Sequence, residues 1–132
     1  MARAEKPPRF EPKLWEYELP GGWVVLAGRN DQDNDYLSIK MARANDYWFH
    51  VRGMPGSHVV LRVPDGDLPD NQTLKAAAAI AAWHSKKRES NSVPVSCCQA
   101  KNVSKPRGAK PGTVTIRKEK VLKVRPAIPA SS

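Results

Sequence analysis

The stretch QTLKAAAAIAAWHSKKRE (72–89) constrains the fold more than any other part of the chain. Alanine loses no side-chain entropy in a helix and has the highest helix propensity. Thr73 or Asn71 is placed to cap the start, and Lys86, Lys87 and Arg88 stand where cations complement the helix dipole. The spacing predicts a helix over 72–89. Its small alanines let such a helix lie close on a sheet, with Ile80 and Trp83 as the larger knobs.

The rest of the chain supplies that sheet. LWEYEL (14–19) alternates, PGG turns, and WVVLAG (23–28) follows, which together read as a β-hairpin. Residues 47–52 and 57–63 form two strands around Gly53-Met54-Pro55-Gly56. VPVSCCQ (93–99), TVTIRK (113–118) and KVLKVRP (120–126) are three more strand candidates. RNDQDNDYLSIKMA opens with Asn30 or Asp31 as a cap and spaces Tyr36, Leu37, Ile39 and Met41 for a short helix. PDGDLPDNQ is built from turn formers. Residues 1–13 read as a disordered basic leader, 14–126 as one domain and 127–132 as a tail. The expected fold class is α+β: a mixed, mainly antiparallel sheet packed against one long and one short helix.

The apolar run 76–83 is too short to span a bilayer, and Met1–Lys13 has no apolar signal core. A reduced, cytoplasmic, monomeric protein with no membrane partner is expected. Cys97 and Cys98 are neighbours, and on a strand they point to opposite faces, which opposes a disulfide between them.

Charge narrows the partner. Residues 1–85 carry ten basic and eleven acidic side chains, whereas residues 86–132 carry twelve basic and two acidic. The whole excess lies in the last third, interleaved with Val, Ile and Leu as a folded strand requires, and it points to a polyanion, nucleic acid first.

Three chemistries compete for the stretch DYWFHVRGMPGSHVVLRV (46–63). His50, His58 and His84 match no zinc-ligand spacing, and neither metal nor cofactor is expected. Ser57 and His58 are neighbours on a strand, badly placed for one to deprotonate the other, and no G-x-S-x-G elbow is present. Phosphate binding fits better. PGS (55–57), with Gly56, and GAKPG (108–112), with Gly108 and Gly112, place glycine where backbone can approach an anion. Lys101, Lys105, Arg107 and Lys110 frame the second loop with charge. On strand 47–52, Tyr47, Phe49 and Val51 share one face, a natural core. Trp48, His50 and Arg52 share the other. Trp48 suits either core or base stacking, and Arg52 suits ligand contact.

DYWFHVRGMPGSHVVL, AAAAIAAWHSKKRESNSVPV and KNVSKPRGAKPGTVTI resemble, in order and spacing, the three signature blocks of the NFACT-R domain. That domain is the RNA-binding module of the NFACT ribosome-quality-control proteins. The resemblance spans roughly residues 14–126 and carries Asp46, Trp48, His50, Pro55, Gly56, Ser57 and His58 as motif positions. Ser85, Lys105, Gly108, Ala109, Lys110, Pro111 and Gly112 complete the set. It implies recognition of structured RNA, tRNA or ribosomal RNA, in the setting of the large ribosomal subunit. Full-length relatives place an NFACT-N domain, helix-hairpin-helix elements and a coiled coil before this module, and none is in these residues. A stand-alone NFACT-R protein or an excised domain is therefore expected, and Met1 with the short tails favours the former.

The leading reading is a non-catalytic RNA-binding module using His50, Arg52, Gly56, Ser57, His58, Lys86, Lys87 and Arg88 with the 101–112 loop. One of His50 and His58 is expected to face the RNA while the other braces the turn. An enzyme acting through His50, Ser57 and His58, or a module docking on a ribosomal protein, are the alternatives.

Overall fold

The computed structural model describes residues 10–130. Most of the expected leader lies outside the described residues. Of its last four, Phe10 packs its ring 5.2 Å from Tyr36, and the Lys13 amide donates to Asp33.

The hairpin forms as predicted, β1 Leu14–Leu19 and β2 Trp23–Gly28, closed by Gly21 and Gly22 with positive φ. Asn30 caps α1, Asp31–Tyr36, by accepting from the Asp33 amide. The helix then widens into a π-type turn, Leu37–Met41, closed by Ala42 N–H on the Leu37 carbonyl. β3 (Tyr47–Val51) and β4 (Val59–Leu61) flank the glycine turn.

α2 runs Asn71–Trp83, shorter than the expected 72–89 at its C-terminal end. Asp70, rather than Asn71 or Thr73, is the cap, accepting from Thr73 N–H at 2.8 Å. The end is set by side chains that take the last carbonyls. Ser85 Oγ donates to the Ala82 carbonyl at 2.6 Å, and Arg88 Nε to the Trp83 carbonyl at 2.7 Å. A serine hydroxyl offers the backbone an alternative to the next helical turn. Lys86 and Lys87 consequently sit in a turn beyond the helix.

β5 (Val93–Gln99) and β8 (Lys120–Val124) complete a six-stranded sheet in the order β1-β2-β4-β3-β5-β8. Its pairings are all antiparallel, so it is not mixed. Most of the stretch 113–118 does not join it. Only Thr115–Ile116 (β7) is strand, paired with Val103–Ser104 (β6) in a separate ribbon. Among the described residues no helix is long and apolar enough to cross a membrane.

Two apolar layers sandwich the sheet. α2 covers Val25, Phe49, Val51, Val59 and Val95 on one face with its alanines and Ile80. The π turn and the β6–β7 ribbon cover Leu26, Trp48, Val60 and Cys98 on the other. Cys97 and Cys98 belong to opposite layers and are free thiols. Burial raises them to about 12 and about 11, which makes them unreactive. Central strands buried on both faces explain the unbroken run His58–Leu61.

Gly28 is where α1 meets the sheet. A β-carbon there would lie 2.9 Å from the Asn34 backbone nitrogen and 3.0 Å from its α-carbon. Because both atoms belong to a buried helix, they cannot yield as a flexible side chain would. Gly28→Ala should destabilise the protein by about 1–3 kcal/mol through overpacking. A urea midpoint equal to that of the unaltered chain would refute the contact.

Candidate nucleic-acid interface

The glycine turn stands at one end of the sheet. By register, Leu14, Gly28, Val51, Val59 and Val93 all lie at that end. Arg52 leaves β3 with its amide bonded to the Pro94 carbonyl, and Gly53 takes a φ of +78°, which favours glycine. Gly56 bridges to Ser85, and Ser57 N–H reaches the His84 carbonyl. The turn is thereby fastened to the end of α2.

Ser57 and His58 point apart. Ser57 Oγ donates to the Gly28 carbonyl at 2.7 Å, and its residue is 9% exposed. His58, 3% exposed, faces the other layer, where its Nδ1 lies 2.7 Å from Ser38 Oγ. Trp48 Nε1 donates to that same oxygen at 2.8 Å. Ser38 Oγ thus joins the tryptophan and histidine rings through one hydroxyl. Trp48 is core, which resolves the open choice between core and stacking. His50 stacks beside it at 5.9 Å and is only half-buried.

Burial holds all three imidazoles neutral. It lowers His50, with partial relief from bonding to the Gly56 backbone. It lowers His58 to about 4, helped by the neighbouring His50 charge and opposed by Asp35. His84 also falls to about 4, through burial and then the Arg88 cation. Its Nε2 is hydrogen-bonded to the Tyr17 hydroxyl at 2.6 Å.

The second glycine loop comes back to the same end. Lys105 Nζ binds Asp35 at 2.7 Å and the Lys110 carbonyl at 2.9 Å, and Gly112 N–H donates to Asp35. Gly112 has a φ of +87°, and a β-carbon there would meet Asp31 at 3.2 Å. Lys105 is therefore a clamp that holds the loop on α1. Arg107, Gly108 and Lys110 stay exposed at its tip. Gly112 lines the same depression, about 250 Å³, as His50, Arg52 and Gly53. Arg52, 59% exposed, is 3.9 Å from Glu119, which also accepts from Ser96.

Not every predicted residue joins this end. Lys101 follows β5, and its amide bonds the Ala44 carbonyl ahead of β3. It therefore sits at the opposite end of β3 from Arg52, roughly 16 Å away at the usual strand rise. Lys86 and Arg88 line a second depression of about 420 Å³ on the other side of the turn, with Gly56 and Ser57. Lys87 is exposed nearby in sequence, and Arg88 lies over the Trp83 ring at 4.5 Å.

Sequence reasoning missed Arg29, Trp15 and His84 here. Trp15 stacks on His84 at 4.1 Å, with the Arg29 guanidinium 4.9 Å from the Trp15 ring centre. These contacts are long-range and leave no local pattern; a cation beside a strand end was the only available signal. Among the described residues no three His, Cys, Asp or Glu side chains gather as a metal site would need.

The family model described as "NFACT protein RNA binding domain" matches residues 13–118. The protein named "Rqc2 homolog RqcH" from Bacillus subtilis (strain 168) is 42% identical over 124 residues, covering 94% of this chain and 21% of that protein. Its namesake from Streptococcus suis (strain 05ZYH33) is 40% identical over the same shares. The chain thus spans about a fifth of the length of the curated relatives it matches. The solved structure of the C-terminal part of the fibronectin/fibrinogen-binding protein from Streptococcus suis has a TM-score of 0.80. It is 40% identical and covers 95% of this chain and 50% of that one.

Neutral buried histidines couple folding to pH. In the unfolded chain they take a proton near pH 6.5, whereas folded His58 and His84 wait until about pH 4. The unfolded state binds more protons between these values, so stability should be full above pH 6.5 and fall progressively towards pH 4. Thermal unfolding across this range checks the sign, and NMR titration should find neither imidazole protonated at pH 6. A melting temperature that rises on acidification from pH 6.5 would contradict the assignment.

Proposed function

The chain belongs to the NFACT RNA-binding domain family, and from that membership we propose a non-catalytic module that holds structured RNA, tRNA or ribosomal RNA, by its phosphate backbone. The end of the sheet bearing the two glycine loops is its contact surface. One observation carries the reading: Arg52 and Gly53 of the first turn and Gly112 at the end of the second loop, about sixty residues apart in sequence, line one depression.

Roles follow from exposure. Arg52, Arg107 and Lys110 supply cations to phosphates, and Lys86 and Lys87 extend the charge past the turn. Gly53 lets backbone approach without a side chain between. His50, half-buried and neutral, faces the ligand, and an RNA phosphate would raise its pKa. His58 and Ser57 brace the turn from inside. Their divergence supports a binding role over catalysis, since neither hydroxyl nor imidazole reaches the other. Similarity to proteins named Rqc2 homolog RqcH supports a role in ribosome quality control, and within that role the proposed module works as a cytoplasmic monomer.

Affinity for tRNA should fall steeply with salt, because each neutralised phosphate releases condensed counterion. Lys110→Ala and Arg107→Ala should each reduce the magnitude of the salt slope by about one at most, at unchanged melting temperature. Lys105→Ala should instead lower the melting temperature and weaken binding together, since it unclamps the loop. Anisotropy titrations over a salt series, with inspection of the recovered tRNA, test these points. A flat salt dependence sinks the backbone reading, and cleaved or modified tRNA sinks the non-catalytic one.

A further inference from the structure

β1 is an edge strand, and its outer side is open. Val24 and Gly28 of β2 bond outward to β4 through Arg62 N–H and the His58 carbonyl. The alternate residues Trp23, Val25 and Ala27 therefore bond β1 at Leu19, Tyr17 and Trp15. Backbone groups of Leu14, Glu16 and Glu18 consequently point away from the sheet, where no strand pairs with them among the described residues. Natural edges are blunted with charged side chains, above all lysine, or with proline or a bulge; β1 carries only two carboxylates, which a basic partner strand would match. Residues 14–19 contain no lysine, proline or bulge.

A groove of about 1020 Å³ runs beside this edge. Leu19, Ala76, Ala79 and Ile128 give it an apolar wall, and the Ala127 amide is fixed to the Ala79 carbonyl. Trp15, Tyr17 and Leu19 pack on the α2 side, so alternation turns Glu16 and Glu18 to the other face. Both glutamates are exposed, and among the described residues neither forms an ion pair.

We propose that β1 is a docking edge for an extended basic segment of a protein partner, which adds as a seventh strand. Alternate side chains of that segment meet different surroundings. Those over the groove are apolar and small, and those on the opposite face are lysine or arginine against Glu16 and Glu18. Charge excludes the other occupants. RNA is repelled by the two carboxylates, and a second copy pairing edge to edge would set glutamate against glutamate, which is unfavourable. The groove and the two glutamates share no residue with the surface assigned to RNA, so the two readings fail separately.

The test uses the full chain, isotopically labelled, and a capped peptide of alternating lysine and valine, about eight residues long as strands commonly are. The expected result is amide shifts at Glu16, Glu18, Ala76 and Ala79, with new exchange protection at the two glutamates. Glu16→Lys with Glu18→Lys should weaken the peptide about tenfold or more, and leave tRNA affinity no weaker. Glu16→Pro removes an outward N–H that β2 does not use, and should abolish binding with the circular dichroism spectrum unchanged. A block peptide of four lysines then four valines should bind more weakly. The proposal is overturned by shifts confined to other surfaces, by equal affinity of the charge-reversed chain, or by displacement of the peptide by tRNA. Sedimentation showing a dimer that these substitutions abolish would overturn it as well, since the occupant would then be a second copy.

Discussion

A single buried carboxylate organises the sheet. Asp46, 1% exposed, accepts from Arg43 N–H, Val63 N–H and the Arg62 guanidinium, and its own carbonyl receives the Ala100 amide. It therefore joins the entry to β3, the exit from β4 and the end of β5. Arg62 also reaches the Met41 carbonyl, which brings the π turn into the same set. A buried charge is tolerated only when paired and fully hydrogen-bonded, and here both oxygens are used. The arrangement fixes the β3–β4 register, and a one-residue slip would exchange the core and second-layer faces of the strand that moved.

At the opposite end of β3 the polar pins come from one short segment. Asn34 accepts from His58 N–H, Asp35 holds Lys105 and the Gly112 amide, and Ser38 links Trp48 to His58. Eleven residues of helix and π turn thus set the position of both glycine loops. Wide helical turns are frequent at functional sites. In this fold the π turn brings Ser38 over the sheet where two buried ring nitrogens need a partner. The contact surface is consequently rigid from behind, although its cations stand on exposed turns.

Local signals were legible in the sequence, and pairings at a distance were not. The β1–β2 hairpin, the Asn30 cap and the opposed cysteines follow from alternation, turn residues and capping, all properties of neighbours. The faces of β3 followed too, because period two is strict: Phe49 and Val51 are core, and Trp48 lies opposite. Asp70 was passed over as the α2 cap because three residues within four positions, Asp70, Asn71 and Thr73, each fit the role. The helix end was misplaced because Ser85 and Arg88 act on carbonyls behind them, and propensity does not see that. Lys105 looked like a free cation beside a glycine loop. Its partner Asp35 is seventy residues away, and only the fold brings them together. Lys101 shows the opposite case, since nearness in sequence to the loop hid a strand's length in space.

The two edges of the sheet carry opposite charge, and that asymmetry gives the molecule a direction. β1 exposes Glu16 and Glu18, whereas β8 and the residue after it expose Lys120, Lys123 and Arg125. The lysines blunt the β8 edge against strand addition and belong to the cationic last third of the chain. A polyanion is drawn to one side and turned from the other before any contact forms, because fields of this kind act over a Debye length of about 8 Å at physiological salt. The net charge of +9 alone would predict attraction everywhere on the surface. Its separation into a basic edge and an acidic one gives the approach of any polyanion a preferred direction.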